Sequence, residues 1–379
     1  MTRIWIGPRE SDILTLNGYF DKSITFYGSN GPDNYAYCSE YRLNNYYDDK
    51  YYNFIFDSLG ELTDKDSDCV VHTYSGSQAH KVSAMRPELG HYFKYINEAG
   101  ILEWFNNKTY SRVWMENSVG VPRYALLSKP ECTYGSLSSK YPGFDEFILQ
   151  LNHSSGGKGT WKMNCENEDK LFGEIPDDEP LLVSPYYSPS ISANCHMVIG
   201  ERVNVLFPTS AQIIKVQNDK MIYSGGDFAY GKKVDAMMGE KLYKFKAKTA
   251  EMMSKTGYRG VCGIDFLVCG EQIYLIEINP RYQGSTFVVN NALTKRGYPH
   301  MTELTVAAFE NTGLLEEWKD KLESIEIERE GHVISLSPDT TLEAAYKLLE
   351  DVRDSHEVFL DGFLDAVSFE SSPYLFKYF

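Results

Sequence analysis

The sequence has no long hydrophobic run. No stretch approaches the roughly 18 apolar residues that a transmembrane helix needs, and residues 1–7 hold no long apolar run before a small-residue cleavage site. These absences predict a cytoplasmic protein without a membrane span. The seven cysteines are scattered and form no C-x-x-C pair, which argues against a disulfide framework and against a zinc cage.

Positive charge is also scarce. The chain has 37 Lys and Arg against 53 Asp and Glu, a net charge of −16, and such a field repels nucleic-acid backbones and anionic lipids. We therefore expect neither nucleic acid nor a membrane as a partner. The hydrophobic fraction of 42% is typical of a folded chain. A length of 379 residues, at roughly 100 to 200 residues per domain, predicts two or three lobes around clefts.

The two commonest nucleotide-binding motifs are missing, because neither the Walker A spacing nor the Rossmann G-x-G-x-x-G occurs. A different glycine-rich segment, residues 154–160, follows an apolar run at 147–151 that predicts a strand. Its glycines would let backbone N–H groups approach phosphate oxygens, and Lys158 would add positive charge. The signal is weak by itself, since glycine loops after strands often merely turn the chain. We expect this loop to be mobile without nucleotide.

The strongest pattern lies in two β runs, 261–268 and 272–278. Because side chains alternate along a strand, Glu277 and Asn279 point to one face, and Arg281 follows them. Carboxylate and amide oxygens beside an arginine are typical of a site for a hard cation and a phosphate.

Asp265 can share that face only if the register shifts. A plain two-residue turn would pair Glu277 with Ile264, so the pattern requires an odd loop or a bulge, which we place at Gly270. The alternative is a solvated hairpin with polar tips. The apolar residues around each acid favour a half-buried hairpin instead, and buried carboxylates need partners.

Taken in chain order, these motifs resemble those of the ATP-grasp enzymes. The motifs are Asn107-Lys108, Gly120-Val-Pro122, the glycine-rich segment, the strand at 181–187, Gly263-Ile-Asp265 and Glu277-Ile-Asn279-Pro-Arg281-Tyr-Gln-Gly-Ser285. The resemblance covers roughly residues 70–310 and implies an α/β chain with the ATP-grasp fold of two α+β lobes. It also implies four regions: an N-terminal α/β pre-ATP-grasp domain (1–105), a small lobe with the glycine-rich flap (106–185), a large lobe with the metal site (186–315) and a C-terminal subdomain (316–379).

The resemblance further implies ATP as a cofactor held between the lobes, with Mg²⁺, or Mn²⁺, on Asp265, Glu277 and Asn279. Arg281 would be the catalytic residue, acting on the transferring phosphoryl group. The implied nucleotide-binding residues are Lys108, Gln150, Gly156, Gly157, Lys158, Gly159, Thr160, Ser184, Pro185 and Tyr187, with the backbone of Pro185 and Tyr187 on the adenine edge.

Two of these positions depart from the family. Gln150 stands where a phosphate-binding lysine is common, and Ser184 stands where an acidic residue often opens the segment between the lobes. Because a glutamine carries no charge, Lys108 and Lys158 would have to neutralise more of the triphosphate.

Other polar residues have a structural explanation beside a functional one. Alternation puts Ser192, Asn194 and His196 on one sheet face, which is more often a polar face than a substrate contact. The guanidinium groups of Arg9, Arg86 and Arg259 suit a substrate carboxylate, although each is more often part of a structural ion pair. No nucleophile elbow is present, so a hydrolase triad is unsupported.

The sequence thus predicts an ATP-dependent ligase that activates a carboxylate, of an amino acid by preference, as an acyl phosphate and joins it to an amine. The first alternative is a ligase that loads an amino acid onto the thiol of an acyl carrier protein, as in antibiotic pathways. The second is an inactive ATP-binding regulatory protein, against which the intact metal motif argues. A homodimer is possible under each.

Overall fold

The computed structural model describes residues 1–9, 12–16, 18–27, 36–38, 49–65, 68–154, 159–217, 220–327, 330–334, 342–354, 358–360 and 376–378. Within these ranges no helix is long and apolar enough to cross a membrane. The helices are α1 (Asp49–Lys65), α2 (Gly76–Met85), α3 (Ala99–Asn106), α4 (Lys108–Met115), α5 (Tyr134–Lys140), α6 (Glu168–Glu174), α7 (Phe228–Met238), α8 (Glu240–Lys255), α9 (Thr286–Lys295), α10 (Met301–Glu310), α11 (Leu314–Glu323) and α12 (Leu342–Arg353).

The strands belong to two sheets. They are β1 (Thr2–Arg9), β2 (Lys22–Tyr27), β3 (Ala36–Cys38), β4 (Cys69–Thr73), β5 (Ala125–Leu127), β6 (Phe147–Leu151), β7 (Thr160–Met163), β8 (Leu181–Pro185), β9 (Ile191–Ile199), β10 (Asn204–Gln217), β11 (Lys220–Asp227), β12 (Gly260–Cys269), β13 (Gln272–Asn279), β14 (Glu330–Ile334), β15 (Val358–Leu360) and β16 (Phe376–Tyr378).

The N-terminal sheet is parallel, in the order β3-β2-β1-β4. Its inner strands are buried, and α1 and α2 pack on them through a core that includes Ile4, Tyr51 and Val82. Because parallel strands end at the same edge, the segment after β4 emerges beside the end of β1. That edge faces the remainder of the chain, where the backbone of Ser75 forms a β-bridge with Arg281.

The second sheet contains twelve described strands, with the path β13-β12-β9-β10-β11-β7-β6-β8-β5. We call the first five of these strands the large-lobe sheet and the last four the small-lobe sheet. One described pair, Lys220 with Trp161, joins the two. Each sheet has its own hydrophobic core, and the cleft between them holds the predicted site residues.

Helix α8 follows its sequence pattern closely. Leu242, Phe245, Thr249 and Met253 are buried along one face, and Gly257 after it has φ +88°, as expected for a left-handed residue that ends a helix. The apolar spacing over 240–256, with Gly257 after it, predicts a helix here, and the structure confirms that prediction.

The charged run at 316–330 predicts a hinge before the last subdomain, but this prediction is wrong, because Leu314–Glu323 form α11. Leu315 and Leu322 are buried seven residues, or two helical turns, apart. The charged residues Glu316, Glu317, Asp320 and Lys321 are exposed on the outer face. Lys319 and Glu323 form an ion pair beside β10, where Lys319 donates to Asn204 O and Glu323 accepts from Leu206 N. The acidic and basic residues thus cover one side of an amphipathic helix.

Candidate functional site in the cleft between the lobes

The two acids of the candidate metal site lie opposite each other in the β12–β13 hairpin. Asp265 pairs with Glu277, while the next pair along the ladder is Phe266 with Leu275, so Ile276 is an extra residue. The sequence correctly predicts that a bulge is required, but its placement at Gly270 is wrong. Gly270, with φ +58°, lies in an ordinary two-residue turn, since Cys269 pairs with Gln272.

The bulge brings three polar side chains together. The Asn279 Nδ2 donates weakly to Asp265 Oδ2 at 3.3 Å and to Glu277 Oε1 at 3.4 Å. From the neighbouring strand β9, Asn194 Nδ2 donates to Asp265 Oδ1 at 2.6 Å and to Gln283 Oε1 at 3.1 Å. Asn194 therefore fixes the orientation of the Asp265 carboxyl group.

The electrostatics of this pair favour a bound cation. Burial and the Glu277 carboxylate raise the pKa of Asp265 to about 8. Burial also opposes ionisation of Glu277, yet Lys108 and Arg281 hold the pKa of Glu277 below its usual value. Without a cation the two groups together keep one proton near neutral pH, and a divalent cation would displace it.

The donor set suits magnesium. Two carboxylates and one amide supply only oxygen ligands, which hard cations prefer, and the buried Oδ1 of Asn194 has no hydrogen-bond partner among the described residues. No cluster of three or more His, Cys, Asp or Glu occurs in the described ranges. The role of Asp265, Glu277 and Asn279 as metal ligands stays a prediction.

Lys108 enters the site from the first turn of α4. Its position is fixed by Asn107, the N-cap residue, whose side chain accepts a hydrogen bond from Tyr110 N at 3.1 Å. The Lys108 side chain is 4% exposed, and its Nζ lies 3.3 Å from Glu277 Oε2 and 2.8 Å from the carbonyl oxygen of Ser154. Lys108 therefore links β13 to the start of the glycine-rich segment.

Gln150 is buried on β6 and faces the same cleft. Its Oε1 accepts a hydrogen bond from Arg112 Nη2 at 2.9 Å, and its Nε2 lies 3.5 Å from Thr160 Oγ1. Arg112 also donates through Nε to the carbonyl oxygen of Ile276, the bulge residue, at 3.2 Å. Sequence analysis did not single out Arg112, and its position four residues after Lys108 on α4 was the only available signal.

Part of the glycine-rich segment is described. Gly159 has φ +69°, and its carbonyl oxygen accepts from Leu151 N at 2.9 Å, which brings Thr160 beside Gln150 at the start of β7. Gly156, Gly157 and Lys158 lie outside the described residues, and so does most of the loop whose mobility the sequence predicts.

The predicted adenine segment begins at the end of β8 and continues to Tyr187. Ser184 and Pro185 are buried and pair with Ile148 and Phe147 of β6. Tyr187 is half-buried, and its ring packs on Tyr274 of β13 at 5.0 Å between centroids. The segment thus spans the cleft from the small-lobe sheet to the strand that carries Glu277.

Arg281 lies where the large lobe meets the N-terminal sheet. It is half-buried, its backbone N–H donates to Asn279 O at 2.8 Å, and its Nη1 donates to Tyr282 O at 3.0 Å. The guanidinium carbon lies 5.8 Å from the centroid of the Tyr74 ring. Arg281 therefore lies between β13 and the carboxyl edge of the N-terminal sheet.

The structure separates the remaining candidates. Arg86 pairs with Glu88 on the surface, and Arg259 donates to the Ser254 and Tyr258 carbonyl oxygens, so neither reaches the cleft. Arg9 is buried at the carboxyl end of β1, the edge nearest Arg281. His196 is fully buried and hydrogen-bonds Thr286 Oγ1 at 3.0 Å, in agreement with its structural interpretation.

The region around this cleft matches a known protein family. Residues 105–285 match a family model described as an ATP-grasp domain, which confirms the resemblance drawn from the motifs. No curated protein matches the sequence significantly.

Solved structures share the fold over nearly the whole chain. They include a carboxyaminoimidazole ribonucleotide synthase from Aspergillus clavatus complexed with ATP, at 14% identity and a TM-score of 0.63, covering 100% of this chain and 92% of that one. A phosphoribosylamine–glycine ligase from Thermotoga maritima has 16% identity and a TM-score of 0.62, covering 99% and 91%. The biotin carboxylase domain of 2-oxoglutarate carboxylase from Hydrogenobacter thermophilus, in complex with MgADP and bicarbonate, has 13% identity and a TM-score of 0.65, covering 100% and 85%. The chain therefore has the ATP-grasp fold.

Proposed function

Because this chain carries an ATP-grasp domain, we propose that it is an ATP-dependent ligase that joins a carboxylate to an amine and releases ADP and phosphate. The observation that carries the proposal is the convergence of the Asp265–Glu277 pair, Lys108 and Arg281 in one cleft. Each of these groups suits the binding or transfer of a phosphoryl group. The phosphoribosylamine–glycine ligase among the structures of similar fold is named for an amine and an amino acid, and this supports an amine acceptor.

The reaction proceeds in two transfers. A carboxylate oxygen of the first substrate attacks the γ-phosphorus of ATP, the bond to the β-phosphate oxygen breaks, and ADP leaves. The amine nitrogen then attacks the acyl carbon, phosphate leaves with the electron pair of the C–O bond, and the nitrogen loses a proton. An amino acid supplies the carboxylate in the simplest form of this proposal.

The residues divide this work by position. Asp265, Glu277 and Asn279 would hold magnesium, which would supply charge neutralisation for the triphosphate. Lys108, held by Ser154 and Glu277, places a fixed ammonium at the start of the glycine-rich segment. Arg281 presents a planar guanidinium between β13 and the N-terminal sheet, where it can orient the phosphoryl group and the carboxylate together.

The substrates other than ATP are proposed to bind at the carboxyl edge of the N-terminal sheet. Ser75 and Tyr74 contact Arg281 there, and Arg9 is buried at the same edge. The Arg9 guanidinium at this edge suits the carboxylate of a second amino acid, the one that supplies the amine. Both substrates would then lie within reach of the Arg281 guanidinium.

The proposal is tested by measuring ADP and phosphate release with amino acids supplied singly and in pairs, with and without a carrier protein. Hydroxylamine added in place of the amine should trap a hydroxamate from the activated carboxylate. If a pair of amino acids doubles neither the rate of ADP release nor the yield of hydroxamate, that pair does not contain the substrate. If no carboxylate that stimulates ADP release forms a hydroxamate, the acyl phosphate intermediate is contradicted.

A further inference from the structure

Arg112 is among the most buried large side chains in the described part of the molecule. Its side chain on α4 is 1% exposed, and it bridges two elements on opposite sides of the cleft. Nε donates to the carbonyl oxygen of Ile276 in the large-lobe sheet, and Nη2 donates to Gln150 Oε1 in the small-lobe sheet.

The charge of Arg112 is not neutralised by an ion pair in the described ranges. Its Nη1 is buried and has no hydrogen-bond acceptor among the described residues. Burial lowers the pKa of Arg112 to about 10, and Glu277 acts in the opposite direction, so the guanidinium is protonated at neutral pH. A buried cation without an ion-pair partner is costly, and a site that receives an anion accounts for keeping one.

Arg112 also determines which atom Gln150 presents to the cleft. Because Oε1 accepts from the guanidinium, Nε2 is turned toward Thr160 at the end of the glycine-rich segment. Gln150 therefore presents an N–H donor, not an acceptor, where phosphate oxygens would bind. A neutral amide in this orientation gains its electrostatic effect from the cation directly behind it.

We propose that Arg112 is a positioning residue for the nucleotide, which holds the Gln150 amide as a phosphate donor and supplies the positive charge that Gln150 lacks. This inference rests on the proposed function, since it takes the anion to be the phosphates of ATP. It adds a residue from α4 to the site and gives a reason for a neutral side chain at position 150.

The test moves the charge from one position to the other. Arg112→Met, Gln150→Lys and the double variant are compared with wild type for binding of MgATP and of adenosine by calorimetry. Arg112→Met should weaken MgATP binding by about 10- to 100-fold, which is about 1.4 to 2.7 kcal/mol at 1.36 kcal/mol per tenfold, and leave adenosine binding unchanged. In the double variant, the lysine introduced by Gln150→Lys should restore MgATP affinity to within a few-fold of wild type. Gln150→Lys alone places two cations side by side and should not improve the affinity.

The matched control is Lys246→Met, which removes another buried cation, paired with Asp235 at 2.8 Å outside the cleft. It should lower stability without changing MgATP affinity. If Arg112→Met does not fold, Gln150→Glu gives the same information, because a carboxylate beside Arg112 neutralises it within a stable fold and should weaken MgATP binding at least about tenfold.

The outcomes separate the two proposals. Wild type that fails to bind MgATP overturns the proposed function and this inference with it. If wild type binds MgATP and either Arg112→Met or Gln150→Glu binds it with unchanged affinity, this inference alone is overturned. Equal losses in the Arg112→Met and double variants would also overturn it, since a purely structural arginine would not be rescued by a lysine at position 150.

Discussion

Replacing Glu277 with glutamine tests the metal site most directly, because the change removes a charge and almost no volume. In the wild-type structure Glu277 attracts Lys108 at 3.3 Å, a Coulomb energy of about 5 kcal/mol at an effective dielectric constant of about 20. Its carboxylate also opposes ionisation of Asp265. Removal of the charge forfeits the attraction but relieves that repulsion and the desolvation of one carboxylate.

These effects largely cancel in the free energy of unfolding, so Glu277→Gln should change stability by no more than about 2 kcal/mol. Turnover should respond very differently. A carboxamide cannot replace a carboxylate that neutralises a divalent cation, so ADP release should fall by at least about 10²- to 10³-fold, the range for loss of one preorganised charge-stabilising group. The magnesium concentration for half-maximal rate should rise.

The assay is ADP release over a series of magnesium concentrations, with urea denaturation of the same preparations. Glu271→Gln is the matched control, since Glu271 is exposed in the turn of the same hairpin and should keep the wild-type rate. Near-normal phosphate release by Glu277→Gln with unchanged magnesium dependence would refute the metal assignment. A lost rate with an equally large loss of folded protein would refute the argument that the charges cancel.

Three further predictions concern residues at and behind the cleft. Arg281→Lys keeps the charge but loses the planar fork, so product formation should fall by roughly 10²-fold while ATP binding weakens far less; a parallel loss in titration calorimetry would place Arg281 in ATP binding instead. Gly263→Ala should destabilise the fold by about 1 to 3 kcal/mol in urea denaturation, because the new Cβ would lie 1.8 Å from Gln283 Oε1, whereas Gly173→Ala, with open space around it, should not destabilise it. Burial lowers the pKa of His196 to about 3, so below pH 6.5 the unfolded chain takes up a proton that the folded chain refuses. Wild type should therefore lose about 2 kcal/mol more stability than His196→Gln between pH 6.5 and 5, and equal losses would contradict the buried neutral histidine.

Local patterns were sufficient for most elements that carry the site. Apolar alternation identified the strands around Asp265 and Glu277, and Gly257 marked the end of α8. These signals depend on neighbours in sequence, since side-chain direction and capping are set within a few residues. The same dependence explains the error at 316–330, where charged residues concealed two buried leucines at helical spacing.

The sequence by itself thus determined which residue types are available for the proposed phosphoryl-transfer site and that Glu277 and Asn279 lie on one strand face. The tertiary structure decided which of them meet. The bulge at Ile276 depends on pairing between β12 and β13, Asn194 reaches Asp265 across 71 residues, and Arg112 reaches Ile276 across 164. No local periodicity encodes such contacts, because they arise only when separate elements pack into one core and their buried polar groups must find partners in each other.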